Sequence, residues 1–245
     1  MSIFVKEILI EREDIKRLVP LDVTQLANGE VRVFLWHHTY RRETLTNLAR
    51  TLCPNIEQED IAQLRDKRFI EKLSIRLLLN LLMPQSTIKY LETGRPYLSS
   101  PAIEISISHT KDVYAISFSK ERHGMDIEHY SKTAPKVRSM FVNNYEQTWL
   151  KQGEFPLERI ETYTMLWSAK EAIYKYVDIS GLSFKHDIET EFDKERFILL
   201  ASLSKQRRLC IVESLPYPEF ILNVAKGLDN IPKIKQIDKS LELPF

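Results

Sequence analysis

Apolar and polar residues alternate every second position in some stretches of the chain and recur at helical spacing in others. Ile3 to Glu11 alternates as a strand, and Val31 to Trp36 repeats the signal after an Asn28-Gly29 turn. Arg41 to Leu52 reads as a helix stopped by Pro54, and Ile61, Leu64, Phe69, Leu73, Leu77 and Leu81 carry a longer one through Asp60 to Met83. A turn at Gly94-Arg95-Pro96 precedes the most regular strand signal, in which Ile103, Ile105 and Ile107 face away from Glu104, Ser106 and Ser108. Val113 to Ser119 and Gly124 to Glu128 read as the next two strands of a meander, joined by short polar links. Val137 to Gln152 and Leu157 to Val177 read as helices. Beyond Gly181, strands are predicted near Phe184 to Ile188, Phe197 to Ser202, Leu209 to Glu213 and Phe220 to Val224, followed by a weakly periodic tail from Asp229 to Phe245. This order predicts an α+β protein rather than a parallel α/β one.

Composition narrows the function classes. The chain has 245 residues, 43% of them hydrophobic, enough for a substantial core, and its formal net charge is +1. No global field favours nucleic acid or a membrane, and the dense apolar run at Leu77 to Met83 is too short to span a bilayer. Cys53 and Cys210 stand alone, as expected of ordinary thiols in a reducing cytoplasm. Charge is uneven only locally: Arg65, Lys67, Arg68, Lys72 and Arg76 face just Asp66 and Glu71 in the long helix.

The sharpest chemical feature is Gly124-Met125-Asp126-Ile127-Glu128, whose two carboxylates share one strand face. Oxygen donors of this kind suit Mg²⁺, although a solvent-facing strand end reads the same way. Leu166 to Tyr176 is helical, with Leu166, Ala169, Ala172 and Ile173 on one apolar side at about 100° per residue. Glu171 and Lys175 lie opposite, and as a solvated i,i+4 pair they contribute only ~0.2–0.5 kcal/mol. Lys170, beside Trp167 and Tyr174, has the stem to snorkel. His109 can contact phosphate with Ser108 or be merely exposed, and the His37-His38 pair has no zinc spacing. Neither a Walker loop nor a Gly-x-Ser-x-Gly elbow occurs.

The order of these pieces is more specific than any one of them. Gly94-Arg95-Pro96, Ile105-Ser106-Ile107-Ser108-His109-Thr110, Gly124-Met125-Asp126-Ile127-Glu128, Trp167-Ser168-Ala169-Lys170-Glu171-Ala172-x-x-Lys175 and Gly181-Leu182-Ser183-Phe184 follow in turn. Together they resemble the Sfp-type 4′-phosphopantetheinyl transferases, well over about Arg65 to Phe184 and in outline before it.

That resemblance implies a fold of two similar α+β halves related by a pseudo-twofold, with coenzyme A in the cleft between them. The halves would be residues 1–120 and 121–228, with 229–245 as a tail. It implies transfer of phosphopantetheine from coenzyme A to a serine of an apo acyl or peptidyl carrier protein, with release of adenosine 3′,5′-bisphosphate. Asp126, Glu128 and Glu171 would ligate Mg²⁺, and Glu171 would take the serine proton. Lys175 and Lys170 would hold the pyrophosphate, Ser108 and His109 a phosphate, Arg95 and Pro96 the adenine end, and Lys67 and Arg68 the 3′-phosphate. Lys132, Lys136 and Arg138 would meet an acidic carrier, or form a solvated loop. The implied protein is a cytoplasmic monomer with no nucleic-acid or membrane partner. Met125, Thr110 and Ile127 depart from the commonest pattern without removing a functional group. A homologue that binds coenzyme A without turnover is the alternative; loss of a carboxylate would mark it, and all three are present.

Overall fold

The computed structural model describes residues 19–228 except 28, 57, 85, 100–102, 153–156, 194–196 and 204–207. The strand expected at Ile3 to Glu11 and the tail from Asp229 lie outside the described residues. The chain opens with β1 (Leu21–Leu26), β2 (Val31–His37), α1 (Arg42–Leu52) and α2 (Asp66–Leu82), then β3 (Ile88–Tyr90), β4 (Pro96–Leu98), β5 (Glu104–Thr110) and β6 (Val113–Ser119). It continues through β7 (Gly124–His129), α3 (Thr133–Val137), α4 (Asn144–Gln152) and α5 (Arg159–Val177). Four strands follow: β8 (Ile188–Asp193), β9 (Ile198–Leu203), β10 (Arg208–Pro216) and β11 (Phe220–Gly227). One sheet runs β1-β2-β6-β5, a second β7-β11-β10-β9-β8, and β3-β4 is a small hairpin. Every pairing is antiparallel, so the mixed α and β architecture is as the pattern predicts.

The meander does not extend to its third strand. The second edge of β6 is occupied by β2, and β7 instead pairs with β11, setting Asp126 against Asn223 and Glu128 against Ile221. Two edge strands, β5 and β7, are thereby left side by side. The alternating hydroxyls of β5 close the gap: Ser106, Ser108 and Thr110 accept the backbone N–H groups of Met125, Ile127 and His129 at 2.9, 3.2 and 3.0 Å. This satisfies donors that an edge strand otherwise leaves open. It also gives Thr110 a structural use that any hydroxyl residue there would share.

Helix boundaries shift for identifiable reasons. The predicted helix from Asp60 begins only at Asp66, after a 3-10 turn at Glu59–Ile61. Arg42 draws the Ala62 and Leu64 carbonyls onto its guanidinium, and Asp60 pairs with Arg76. The predicted helix from Val137 breaks at Asn143, where Asn143 and Glu146 cap each other reciprocally, each side chain accepting the other's N–H. Phe184 to Asp187 is a turn rather than a strand, because Asp187 accepts the Ser183 N–H and the Phe184 carbonyl is taken by a lysine. β1 escapes the pattern because most of its side chains are only half buried or exposed.

Three cores result. Phe34, Trp36, Leu73, Leu77 and Ile116 join the first sheet to α1 and α2. Met165, Ala169, Ile173, Leu199 and Val212 join α5 to the second sheet. Between the sheets, Val33, Leu35, Met125, Ile127 and Val224 pack together. The period of two along β7 thus buries Met125 and Ile127 and turns Asp126 and Glu128 the other way. Gly124 is obligatory at the crossing with α5, since a Cβ there would lie 2.0 Å from the Ala172 carbonyl oxygen.

Candidate functional site

A cleft of about 810 Å³ opens between α2, the β3-β4 hairpin, the β5-β7 seam and α5. β7 contributes Asp126 and Glu128, and α5 contributes Trp167, Glu171 and Lys175. The opposite wall carries Arg68, Glu71, Lys72 and Arg76 from α2. Arg95 and Pro96 from the hairpin, with Ser108 and His109 from β5, also line it.

Asp126 is the node of this cleft. It is 6% exposed, and its Oδ1 accepts the Ser108 hydroxyl at 2.8 Å and the Lys175 ammonium at 2.7 Å. Its Oδ2 accepts the Ser168 hydroxyl at 2.8 Å. Lys175 also donates to the Met125 and Ile107 carbonyls at 3.0 and 3.3 Å, so it bridges both strands of the seam. Glu128 and Glu171 are compensated less fully. Burial, then the Asp126 charge, lifts the Glu128 carboxyl to about 7, with Glu171 adding to the rise. The same two causes raise Glu171, against a smaller opposing pull from Lys175. Carboxyls from two separated motifs therefore sense each other across one cleft.

Across the cleft, Glu71 gathers cations. Arg68 donates to it at 3.0 Å and His109 Nε2 stands 3.6 Å away. Burial holds His109 below its ordinary value; Glu71 opposes this, while Arg68, Lys175 and Lys67 reinforce it. Arg95 is paired with Glu104 beside the hairpin.

Two sequence expectations are corrected. Lys170 does not reach the cleft: it is 0% exposed and donates to Glu146 at 2.8 Å and to the Phe141, Phe184 and Ile188 carbonyls at 2.7, 2.8 and 3.0 Å. An ammonium placed beside aromatics can snorkel outward, but this one finds its acceptors inward. Lys67 is exposed and lies off the cleft lining, whereas Arg68, Lys72 and Arg76, four residues apart, form the cleft-facing row. That spacing is visible in the sequence and identifies Lys72 and Arg76, which motif matching passes over. Ser168 was also passed over, although it shares a helical face with Glu171 and Lys175 at spacings of three and seven.

These carboxylates and Lys175 fall in a segment with relatives. Residues 122–224 match the model of the 4′-phosphopantetheinyl transferase superfamily. The match runs from just before β7 into β11 and so contains Asp126, Glu128, Ser168, Glu171 and Lys175. It supports transfer of a phosphopantetheine group as the general class of activity. The first sheet, α2 and the hairpin lie outside it. No curated protein matches the chain.

Among the described residues, no three His, Cys, Asp or Glu side chains enclose a metal by themselves. A cation here would use one or two of these carboxylates, with water and phosphate oxygens completing its shell, as Mg²⁺ commonly does. The donor set fits that demand: it is oxygen only, and Glu128 and Glu171 carry raised pKa values that a nearby cation would relieve. No helix among the described residues is long and apolar enough to cross a membrane.

Proposed function

We propose that the protein is an Sfp-type 4′-phosphopantetheinyl transferase that moves the phosphopantetheine arm of coenzyme A onto a serine of an apo acyl or peptidyl carrier protein. The observation that carries this reading is the meeting of Asp126, Glu128 and Glu171, from two motifs, in a cleft whose opposite wall is cationic. The two sheets with their helices are read as two similar halves related by a pseudo-twofold, residues 1–120 and 121–228, with the substrate between them.

Glu171 takes the proton from the carrier serine as its oxygen attacks the β-phosphorus of coenzyme A. The bond from that phosphorus to the bridging oxygen breaks, and adenosine 3′,5′-bisphosphate departs. A serine hydroxyl is a weak nucleophile, and a carboxylate raised by burial is a better base for it. One or two of Asp126, Glu128 and Glu171 would hold Mg²⁺, with water and phosphate oxygens, and when bound it would offset negative charge developing on the phosphates. Lys175 holds the pyrophosphate side of the site through its grip on Asp126. Arg68, Lys72, Arg76 and His109 receive the 3′-phosphate end, and Arg95 and Pro96 flank the adenine.

A second groove, about 820 Å³, suits the carrier. Lys136, Arg138, Lys151 and Arg159 rim it over Val142, Leu150 and Tyr163, and among the described residues no acidic side chain lines it. Tyr163 lies one helical turn from Trp167 of the cleft, so an acidic helix seated there lies along the path to Glu171. Lys132 is exposed just before α3 and extends this basic surface. Incubation with Mg²⁺, coenzyme A and a panel of apo carriers, read by intact mass, tests the reading. One phosphopantetheine is added to at least one carrier; binding of coenzyme A without any modified carrier identifies a silent homologue instead.

A further inference from the structure

Three buried hydroxyls of α5 behave differently. Thr162 and Thr164 turn back onto their own helix, donating to the Glu158 and Ile160 carbonyls at 2.9 and 2.8 Å. A serine can satisfy itself in the same manner. Ser168, 0% exposed, instead donates outward to Asp126 Oδ2 at 2.8 Å. The other carboxylate oxygen is held by Ser108, which also accepts the Ile127 N–H. Asp126 is thus gripped at both oxygens by hydroxyls from β5 and α5, the two elements it lies between. Lys175, anchored to two carbonyls, pulls on Oδ1 alone. Without the Ser168 hydroxyl the carboxylate is held at Oδ1 alone, and its Oδ2 end is free to swing about that anchor.

We propose that Ser168 is a positioning residue: its hydroxyl holds Oδ2 and so fixes the rotamer of Asp126, while Ser108 and Lys175 hold Oδ1. This rests on the assignment of Asp126 to the Mg²⁺ and pyrophosphate end of the site. Partners behind a metal-binding carboxylate typically change metal affinity or activity about 10–100-fold when removed.

The test uses the full chain, stripped with EDTA, dialysed and supplied with a fixed concentration of coenzyme A. MgCl₂ is titrated and the melting temperature recorded for wild type, Ser168→Ala and Thr164→Val. The last removes a buried hydroxyl of the same helix that does not touch the site. In Ser168→Ala, the Mg²⁺ concentration giving half the thermal shift rises about 10-fold or more. Thr164→Val stays with wild type, and the transfer lost in Ser168→Ala is partly recovered as Mg²⁺ is raised. If Ser168→Ala does not fold, Ser168→Cys, which preserves volume and weakens the donor, shows the displacement in the same direction. An unmoved midpoint in the serine variant, or an equal shift in Thr164→Val, overturns the inference while leaving the transferase reading intact. A wild type indifferent to Mg²⁺ overturns the metal assignment and this inference together, and carrier modification in that case would keep the transferase reading alone.

Discussion

Two lysine–carboxylate pairs sit five residues apart on α5 and serve opposite ends. Lys170 and Glu146 are sealed, with both side chains at 0% exposure. Every group there is answered: Glu146 also accepts the Thr190 N–H and hydroxyl at 3.1 and 2.8 Å and the Asn143 N–H at 2.9 Å. Burial pushes the Lys170 ammonium down and the Glu146 carboxyl up, and in each case the partner's charge pulls back. Lys175 and Asp126 lie at the cleft, with side-chain exposures of 29% and 9%. Their neighbours Glu128 and Glu171 are left with charge that Lys175 offsets only in part. A polar network closed on itself holds the fold; one left short of positive charge is ready for a substrate or cation.

The comparison breaks most readily at the sealed pair. Lys170→Met leaves Glu146 buried without its counter-charge, and is expected to cost about 3–5 kcal/mol in a denaturant titration. If the variant is as stable as wild type, Lys170 is not the bolt described here. Lys175→Met is expected to lose only about 1.5–3 kcal/mol, one charged hydrogen-bonding group, yet to reduce carrier modification about 10²–10³-fold. An equal stability loss in both variants would erase the distinction between the pairs.

The unanswered charge has its own signature with pH. Burial and the Asp126 charge push the Glu128 carboxyl up to about 7 in the fold, from an ordinary value of 4.5. Its carboxyl is more easily ionised in the unfolded chain, so stability present below pH 4.5 is lost as pH rises toward about 7, and Glu171 acts in the same direction. In metal-free protein at pH 8, Glu128→Gln is therefore expected to raise the melting temperature by about 2–6 °C. At pH 4 the gain shrinks. A variant that melts lower than wild type at pH 8 would contradict the assignment of unrelieved charge. The smallest effect belongs to the basic groove: Arg138→Ala should raise the carrier KM about 1.5- to 5-fold at low salt and less at high salt.

How far this was readable in advance differs by element. Strands β5 and β6 and the body of α5 follow from their alternating, continuous and helical apolar spacings, although the structure buries more of each than a single face. The partner of β7 does not follow, because alternation states which way side chains point and not which strand lies alongside. Asp126, Glu128 and Glu171 were legible as residues, and their meeting depended on a crossing that Gly124 permits. Lys170 was misread for a physical reason: an amphipathic wheel marks it as marginal, while its four acceptors come from segments up to 29 residues away. The Arg68, Lys72 and Arg76 row was present in the helical spacing. Sequence order favoured the adjacent Lys67-Arg68 pair over that row.

The central claim is that the open end of α5 performs the transfer, and it is tested most directly by Glu171→Gln. Intact carrier mass is followed over time with saturating Mg²⁺ and coenzyme A, beside a melting curve for each protein. The account predicts that wild type adds one phosphopantetheine per carrier. The variant is expected to be about 10²–10⁴-fold slower while melting at or above the wild-type temperature. A Glu171→Gln protein that modifies the carrier at the wild-type rate would contradict it.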